Sequence, residues 1–173
     1  MKKRIKHMCW AILIVVFAAV IGITVMSIGD KKAGIEGNKV GFHYPLFCAR
    51  LLIGEPDKIR TFSEWGGKEY QYNDRTFFGH KGSITYSEHF YGVDRIILYI
   101  NIDDNEADAL FNTISQSIES KYKDEKGYYC SSVEQKENGE LRQKIGVNKG
   151  AYGDYFTISY LNGTLRLDGN AQR

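Results

Sequence analysis

The chain has 173 residues and a formal net charge of +2, from 23 Lys and Arg against 21 Asp and Glu. All the acids lie at or after Asp30 and four of the cations lie before it, so the chain from Asp30 onward carries 19 cations against 21 acids, a net charge of −2. That body has no surplus of positive charge to neutralise a phosphate backbone, and nucleic acid is excluded as the expected partner.

The chain opens on Lys2, Lys3, Arg4 and Lys6, and from Met8 to Ile28 it carries no charged residue and no His, Asn, Gln or Pro. A helix over residues 8–28 is roughly 31 Å long and matches a hydrocarbon core about 30 Å thick. Helix is also the conformation that satisfies the backbone of a lone span in lipid. The Lys and Arg excess in residues 1–7 marks the cytoplasmic end and sends the rest of the chain outside. Trp10 falls at the expected interfacial level. The reading is a single-pass signal-anchor carrying an extracytoplasmic domain. A cleaved signal peptide is the rival, with Val25-Met26-Ser27 as a poor cleavage site, but its apolar region runs to only about 7–15 residues. Cys9 precedes most of the apolar run, which does not fit a lipoprotein. It reads as a small apolar residue at the start of the span, with juxtamembrane palmitoylation as the alternative.

Residues 29–41 are rich in Gly and Lys without periodic apolar positions, and read as a flexible tether. A single folded domain is expected over residues 42–168, followed by a frayed polar tail at 169–173. Within the domain, Pro45–Ile53 suits a short helix, with Pro45 at its first position, Gly54 as the stop and Pro56 blocking continuation. The run Leu51-Leu52-Ile53-Gly54-Glu55-Pro56, followed by a Tyr-rich strand, resembles over a short stretch the small lipoprotein of the outer-membrane barrel-assembly machinery. Ile53 stands where that family has Leu and the lipid-bearing Cys is missing, so no function is carried over.

Tyr70 and Tyr72 suggest a strand at 68–73. The segments 75–78 and 83–86 flank a hairpin turn at Gly79-His80-Lys81-Gly82. Arg95–Asp103 alternates Ile96, Leu98, Ile100 and Ile102 with Ile97, Tyr99, Asn101 and Asp103, the period-two pattern of a strand with one apolar face. A helix follows over 105–125, with Ala107, Leu110, Phe111, Ile114, Ile118 and Tyr122 in one stripe. Asp103 and Glu106 have the spacing of a capping box, and Gly127 is a stop. The pairs Asn138-Gly139 and Asn162-Gly163 allow the positive φ of hairpin turns, between segments 128–135 and 141–147 and between 154–160 and 164–167. The sum is an α+β fold: an antiparallel meander packed on one long helix, with a second short helix, behind an N-terminal transmembrane helix.

Chemistry is sparse. Cys48 and Cys130 suit one disulfide in an oxidising compartment, closing a long loop worth roughly 4.5 kcal/mol, or else two free thiols. His43, His80 and His89 lack the spacing of a helical metal site. No dinucleotide, P-loop or nucleophile-elbow motif occurs. Asn162-Gly163-Thr164 matches a glycosylation acceptor, which the hairpin turn explains equally well. Tyrosine is enriched, with 12 in the chain. Tyr128, Tyr129, Tyr152, Tyr155 and Tyr160 make a candidate aromatic binding patch, against half-buried sheet packing. The functional expectation is a non-catalytic module that binds an envelope protein, with neither metal nor cofactor. An anchored envelope hydrolase and an immunity or inhibitor protein are the alternatives.

Overall fold

The computed structural model describes residues 32–62, 66–89, 92–148, 150 and 153–172. The basic flank at 1–7, the apolar run at 8–28 and residues 29–31 lie outside them. Among the described residues no helix is long and apolar enough to cross a membrane.

Among the described residues nine strands form one antiparallel sheet: β1 (Lys58–Thr61), β2 (Lys68–Phe77), β3 (His80–Glu88), β4 (Val93–Asn101), β5 (Tyr128–Cys130), β6 (Glu134–Gln135), β7 (Leu141–Val147), β8 (Gly153–Leu161) and β9 (Thr164–Gln172). Their order is β1-β2-β3-β4-β9-β8-β7-β5, with β6 also on the outer edge of β7. The architecture is α+β, but the sheet is not one continuous meander. The helix after β4 carries the chain across to the far edge, and the strands then return inward until β9 pairs with β4.

Among the described residues the α-helices are α1 (Phe47–Ile53) and α2 (Asp104–Tyr122), with a 3-10 turn at Lys32–Gly34. The whole stripe expected from periodicity, from Ala107 to Tyr122, is buried in α2. Each large apolar member contributes about 1.5–3 kcal/mol on leaving water. It packs on β7 and β8. The Asp103 side chain makes no cap hydrogen bond, so the capping box is not formed; only the Glu106 N–H donates to the Asp103 carbonyl, at 3.0 Å.

The sheet is two-sided because the side chains alternate. One face carries Tyr72, Ile84, Tyr86, Ile96, Leu98, Ile100, Ile145, Phe156, Ile158, Leu165 and Leu167, all essentially inaccessible. Helix α2 covers it over β7 and β8, and the irregular segment before Phe47 covers it elsewhere, where Asn38 meets Tyr86 and Phe42 meets Phe156.

Several boundaries differ from the sequence expectation, each for a physical reason. The segment expected as a tether is core from Ala33 onward: Ala33, Ile35 and Val40 are at most 1 % exposed. Its apolar residues do not repeat at a helical or strand period because the segment is irregular. It threads beside α2, where Ser117 Oγ donates to the Gly34 carbonyl at 2.6 Å. Asn38 is buried and serves as its internal scaffold. Asn38 Nδ2 donates to the Val40 carbonyl, while Oδ1 accepts from the Val40 N–H and from the Tyr86 hydroxyl.

The expected breaks in β2 and after β9 are also absent. Segments 68–73 and 75–78 merge into one strand through a bulge at Asn73-Asp74, where the register slips and Asp74 takes φ 51°. The hairpin turn is Phe78-Gly79, with φ 49° and 82°, rather than the four residues 79–82. The tail is strand: Gly169 pairs with Ile96 and with Phe156, and a Cβ there would stand 2.5 Å from the Phe156 ring.

Asn38→Ala removes three buried hydrogen bonds and is expected to cost about 1–3 kcal/mol of unfolding free energy. Urea titration of the purified chain measures it. A change below about 0.5 kcal/mol, as for a solvated surface position, would take this segment out of the core.

Candidate functional site

Among the described residues, no helix lies on the second face of the sheet. Register builds its rows directly. Arg60, Glu69, Ser87, Arg95, Asn170 and Tyr155 lie across β1, β2, β3, β4, β9 and β8. The next row holds Lys58, Gln71, Thr85, Ile97, Asp168, Thr157 and Lys144. A third holds Ser83, Tyr99, Arg166, Ser159 and Arg142.

Two shallow basins lie on this face. One, of about 330 Å³, is lined by Arg95, Glu140, Arg142, Lys144, Tyr155, Thr157, Ser159, Arg166, Asp168 and Asn170. The other, of about 230 Å³, is lined by Lys58, Arg60, Glu69, Gln71, Thr85, Ile97 and Tyr99. Ile97, largely buried, and Tyr99, exposed, lie on β4 at the boundary. The linings together hold six Lys and Arg against three Asp and Glu. The domain's mildly acidic total therefore conceals a cationic face, because a net charge carries no information on where the charges sit.

Asp168 organises the larger basin. Arg95 Nε donates to Oδ1 at 3.0 Å and Arg95 Nη2 to Oδ2 at 2.7 Å, a bidentate fork between neighbouring strands. Arg166 Nη2 donates to Oδ2 at 2.5 Å and Asn170 Nδ2 to Oδ1 at 3.0 Å. Burial alone disfavours the Asp168 carboxylate, but the Arg95 hydrogen bond and charge, with those of Arg166, outweigh it. The carboxyl is held below its ordinary value of 3.8. The same contact raises Arg95. Arg166 also lies over the Tyr99 ring, 5.6 Å from its centroid, and its Nε is buried with no hydrogen-bond partner among the described residues. In the smaller basin Ser87 Oγ donates to Glu69 Oε1 at 3.0 Å, and Arg60 stands 3.9 Å from the same carboxylate.

The sequence-derived candidates separate. Cys48 is buried in α1 and Cys130 is exposed on the edge strand β5; both are free thiols. Burial, then the Glu88 charge, pushes the Cys48 thiol up, which makes it less nucleophilic. The Cys130 sulfur accepts from Gln143 Nε2 at 3.3 Å.

The five tyrosines do not form one patch. Tyr128 and Tyr160 lie on the covered side: the Tyr128 hydroxyl donates to Glu119 at 2.8 Å, and the Tyr160 hydroxyl donates to Asp104 at the start of α2. Burial, then the Glu119 and Cys130 hydrogen bonds, raises Tyr128. Tyr129 and Tyr155 belong to the open face and meet over Gly146, where an added Cβ would touch both. Tyr152 lies outside the described residues. Period-two alternation splits Tyr128 from Tyr129, and it was available in the sequence; which side faces water was not.

His89 Nδ1 lies 2.5 Å from Asp94 Oδ2, and His43 Nε2 lies 4.0 Å from Asp154, at separate places. Among the described residues no group of three His, Cys, Asp or Glu is placed to hold a metal ion. Comparison of the chain with family models, with curated proteins and with solved structures finds no match.

A group whose pKa is depressed on folding stabilises the fold fully above its unfolded value and loses that contribution as pH falls through the folded one. The wild-type chain is therefore expected to lose part of its stability below pH 3.8 through Asp168. Asp168→Ala, which leaves Arg95 and Arg166 unpaired, should cost about 1–3 kcal/mol at neutral pH and flatten that acid limb. Urea titrations at neutral and acid pH compare the two, and an unchanged limb would remove Asp168 from the role.

Proposed function

We propose that this chain is a membrane-anchored, extracytoplasmic binding module that acts without catalysis and takes an acidic protein surface on the open face of its sheet. The carrying observation is that face itself: a broad surface free of helix among the described residues, with two shallow basins, a cationic lining and the exposed Tyr99 ring between them. Shallow, extended surfaces suit macromolecular partners, whereas small-molecule sites are concave and mostly apolar. Arg and Tyr are also the residues that dominate protein interfaces, because they combine contact area with hydrogen bonding.

Two of the three acids on the face are engaged by its own residues. Asp168 is fully engaged by Arg95, Arg166 and Asn170, and Glu69 by Ser87. Arg142 and Lys144 line the larger basin beside Glu140, so with Arg95 and Arg166 its lining holds four cations against two acids. Such complementarity acts mainly on specificity and encounter rate. The anchor follows from the 8–28 run and its basic flank, by the bilayer-length and charge-asymmetry reasoning above.

A photo-crosslinker at Thr157 on the full chain in intact membranes is expected to trap one discrete protein, and one at Asn112 on the outer side of α2 is not. Arg142→Glu with Lys144→Glu should weaken that capture about tenfold, the equivalent of about 1.4 kcal/mol. No specific adduct from Thr157, or one indifferent to the charge reversal, would sink this reading.

A further inference from the structure

We infer that a pocket on the covered side of the sheet binds a single carboxylate carried on a compact apolar body. The pocket lies between the irregular chain at Gly37 and Lys39, the C-terminal end of α1 at Ile53, and strands β2 and β3, and its volume is about 350 Å³. Its floor belongs to the face opposite the two basins, so the inference stands apart from the open-face reading and from the anchor.

The walls come from the core. Phe77, Ile84 and Tyr86 are buried, and Ile53 packs against the same cluster. The Tyr86 hydroxyl donates to Asn38 Oδ1, which leaves the ring as its contribution to the wall. Gly37 closes one side. It sits so tightly on β2, at φ 83°, that a Cβ there would stand 2.3 Å from the Thr76 carbonyl oxygen. A concave, mostly apolar wall with a few placed polar groups is the composition of a small-molecule site, and the volume falls in that range.

The charged groups of the lining are both cations. Arg75 and Lys39 line the pocket, and among the described residues no Asp or Glu does. The Arg75 guanidinium carbon lies 5.8 Å from the centroid of the Tyr72 ring, and its Nε is buried with no hydrogen-bond partner among the described residues. On Arg95 the edge formed by Nε and Nη2 grips the Asp168 carboxylate. A ligand carboxylate would occupy the same edge of Arg75 and satisfy its buried donor. Lys39 Nζ donates to the Leu52 carbonyl at 3.3 Å. An ammonium has three donors, so others remain for the ligand. Glu55, the acid just beyond α1, is held by Arg50. Past the two cations the buried wall is carbon, which suits one carboxylate with an apolar body behind it.

The test titrates the full chain, isoleucine-methyl-labelled in nanodiscs, with 3-phenylpropanoate to millimolar concentration. Ring-current shifts are expected at Ile53 and Ile84, with none at Ile158 of β8 or at Ile97 on the open face. The uncharged 3-phenylpropan-1-ol should bind at least about tenfold more weakly. Arg75→Gln should weaken the acid to the same degree, and Lys39→Gln, at an exposed position, is the second variant. An unmoved Ile158 signal reports that each variant is folded. The carboxyl end of a peptide carries the same chemistry, so N-acetyl-Gly-Phe beside its amide is the second arm. Tighter binding there than by 3-phenylpropanoate assigns the pocket to a chain terminus, and the reverse assigns it to a small free acid. Three results would overturn the assignment: no shift at Ile53 and Ile84 with either acid, equal binding of the alcohol, or affinity indifferent to both substitutions. Shifts at Ile97 alone would place the acid on the open face and overturn it as well.

Discussion

The pairing of β4 with β9 holds the domain together. It joins β1–β4 to β7–β9, two runs of antiparallel strands that are local in sequence but meet only here. The join is long-range: Arg95 and Asp168, its charged clasp, lie 73 residues apart. Closing so long a loop costs chain entropy that no local contact repays. The register sets Ile96 against Gly169, Leu98 against Leu167 and Ile100 against Leu165 on the covered side. The side chains of Ile97 and Tyr99 meet Asp168 and Arg166 on the open side. Core and candidate binding face are two readings of one register. A slip by one residue would exchange them.

The same constraint explains two glycine-dependent details. Gly169 sits where the Phe42 and Phe156 rings press on β9, with no room for a Cβ. Gly146 opens the space on the other face in which Tyr129 and Tyr155 meet. Each marks a place where the strand backbone is approached closely by aromatic rings.

The polar face is held in order by the sheet beneath it. Asp168, Arg95, Arg166 and Asn170 project from two adjacent strands whose backbones are fixed by ladder hydrogen bonds. In the proposed binding role, a surface built this way needs little ordering of its own when a partner arrives, which lowers the entropic cost of association.

The local elements were legible. Alternation from Ile96 to Ile102 defined β4, and the spacing of Ala107, Leu110, Phe111, Ile114, Ile118 and Tyr122 defined the buried stripe of α2, since both periods follow from backbone geometry alone. Asn162-Gly163 closes its hairpin as two residues of positive φ. The segment from Ala33 to Val40 was illegible because irregular backbone buries its apolar residues without a period. The Asn73-Asp74 bulge was illegible because one extra residue in a strand resembles a strand end. The cationic face was hidden by summation, since its charges come from strands far apart in sequence. By itself, then, the sequence determined the periodic elements, their hairpins and an α+β class, because these depend on neighbours within a few residues. Only the tertiary structure decided that β9 returns to β4, that the presumed tether is core, that Cys48 and Cys130 stand as free thiols and that the tyrosines divide between two faces. Those outcomes depend on which distant strands share a register, and local chemistry does not specify that.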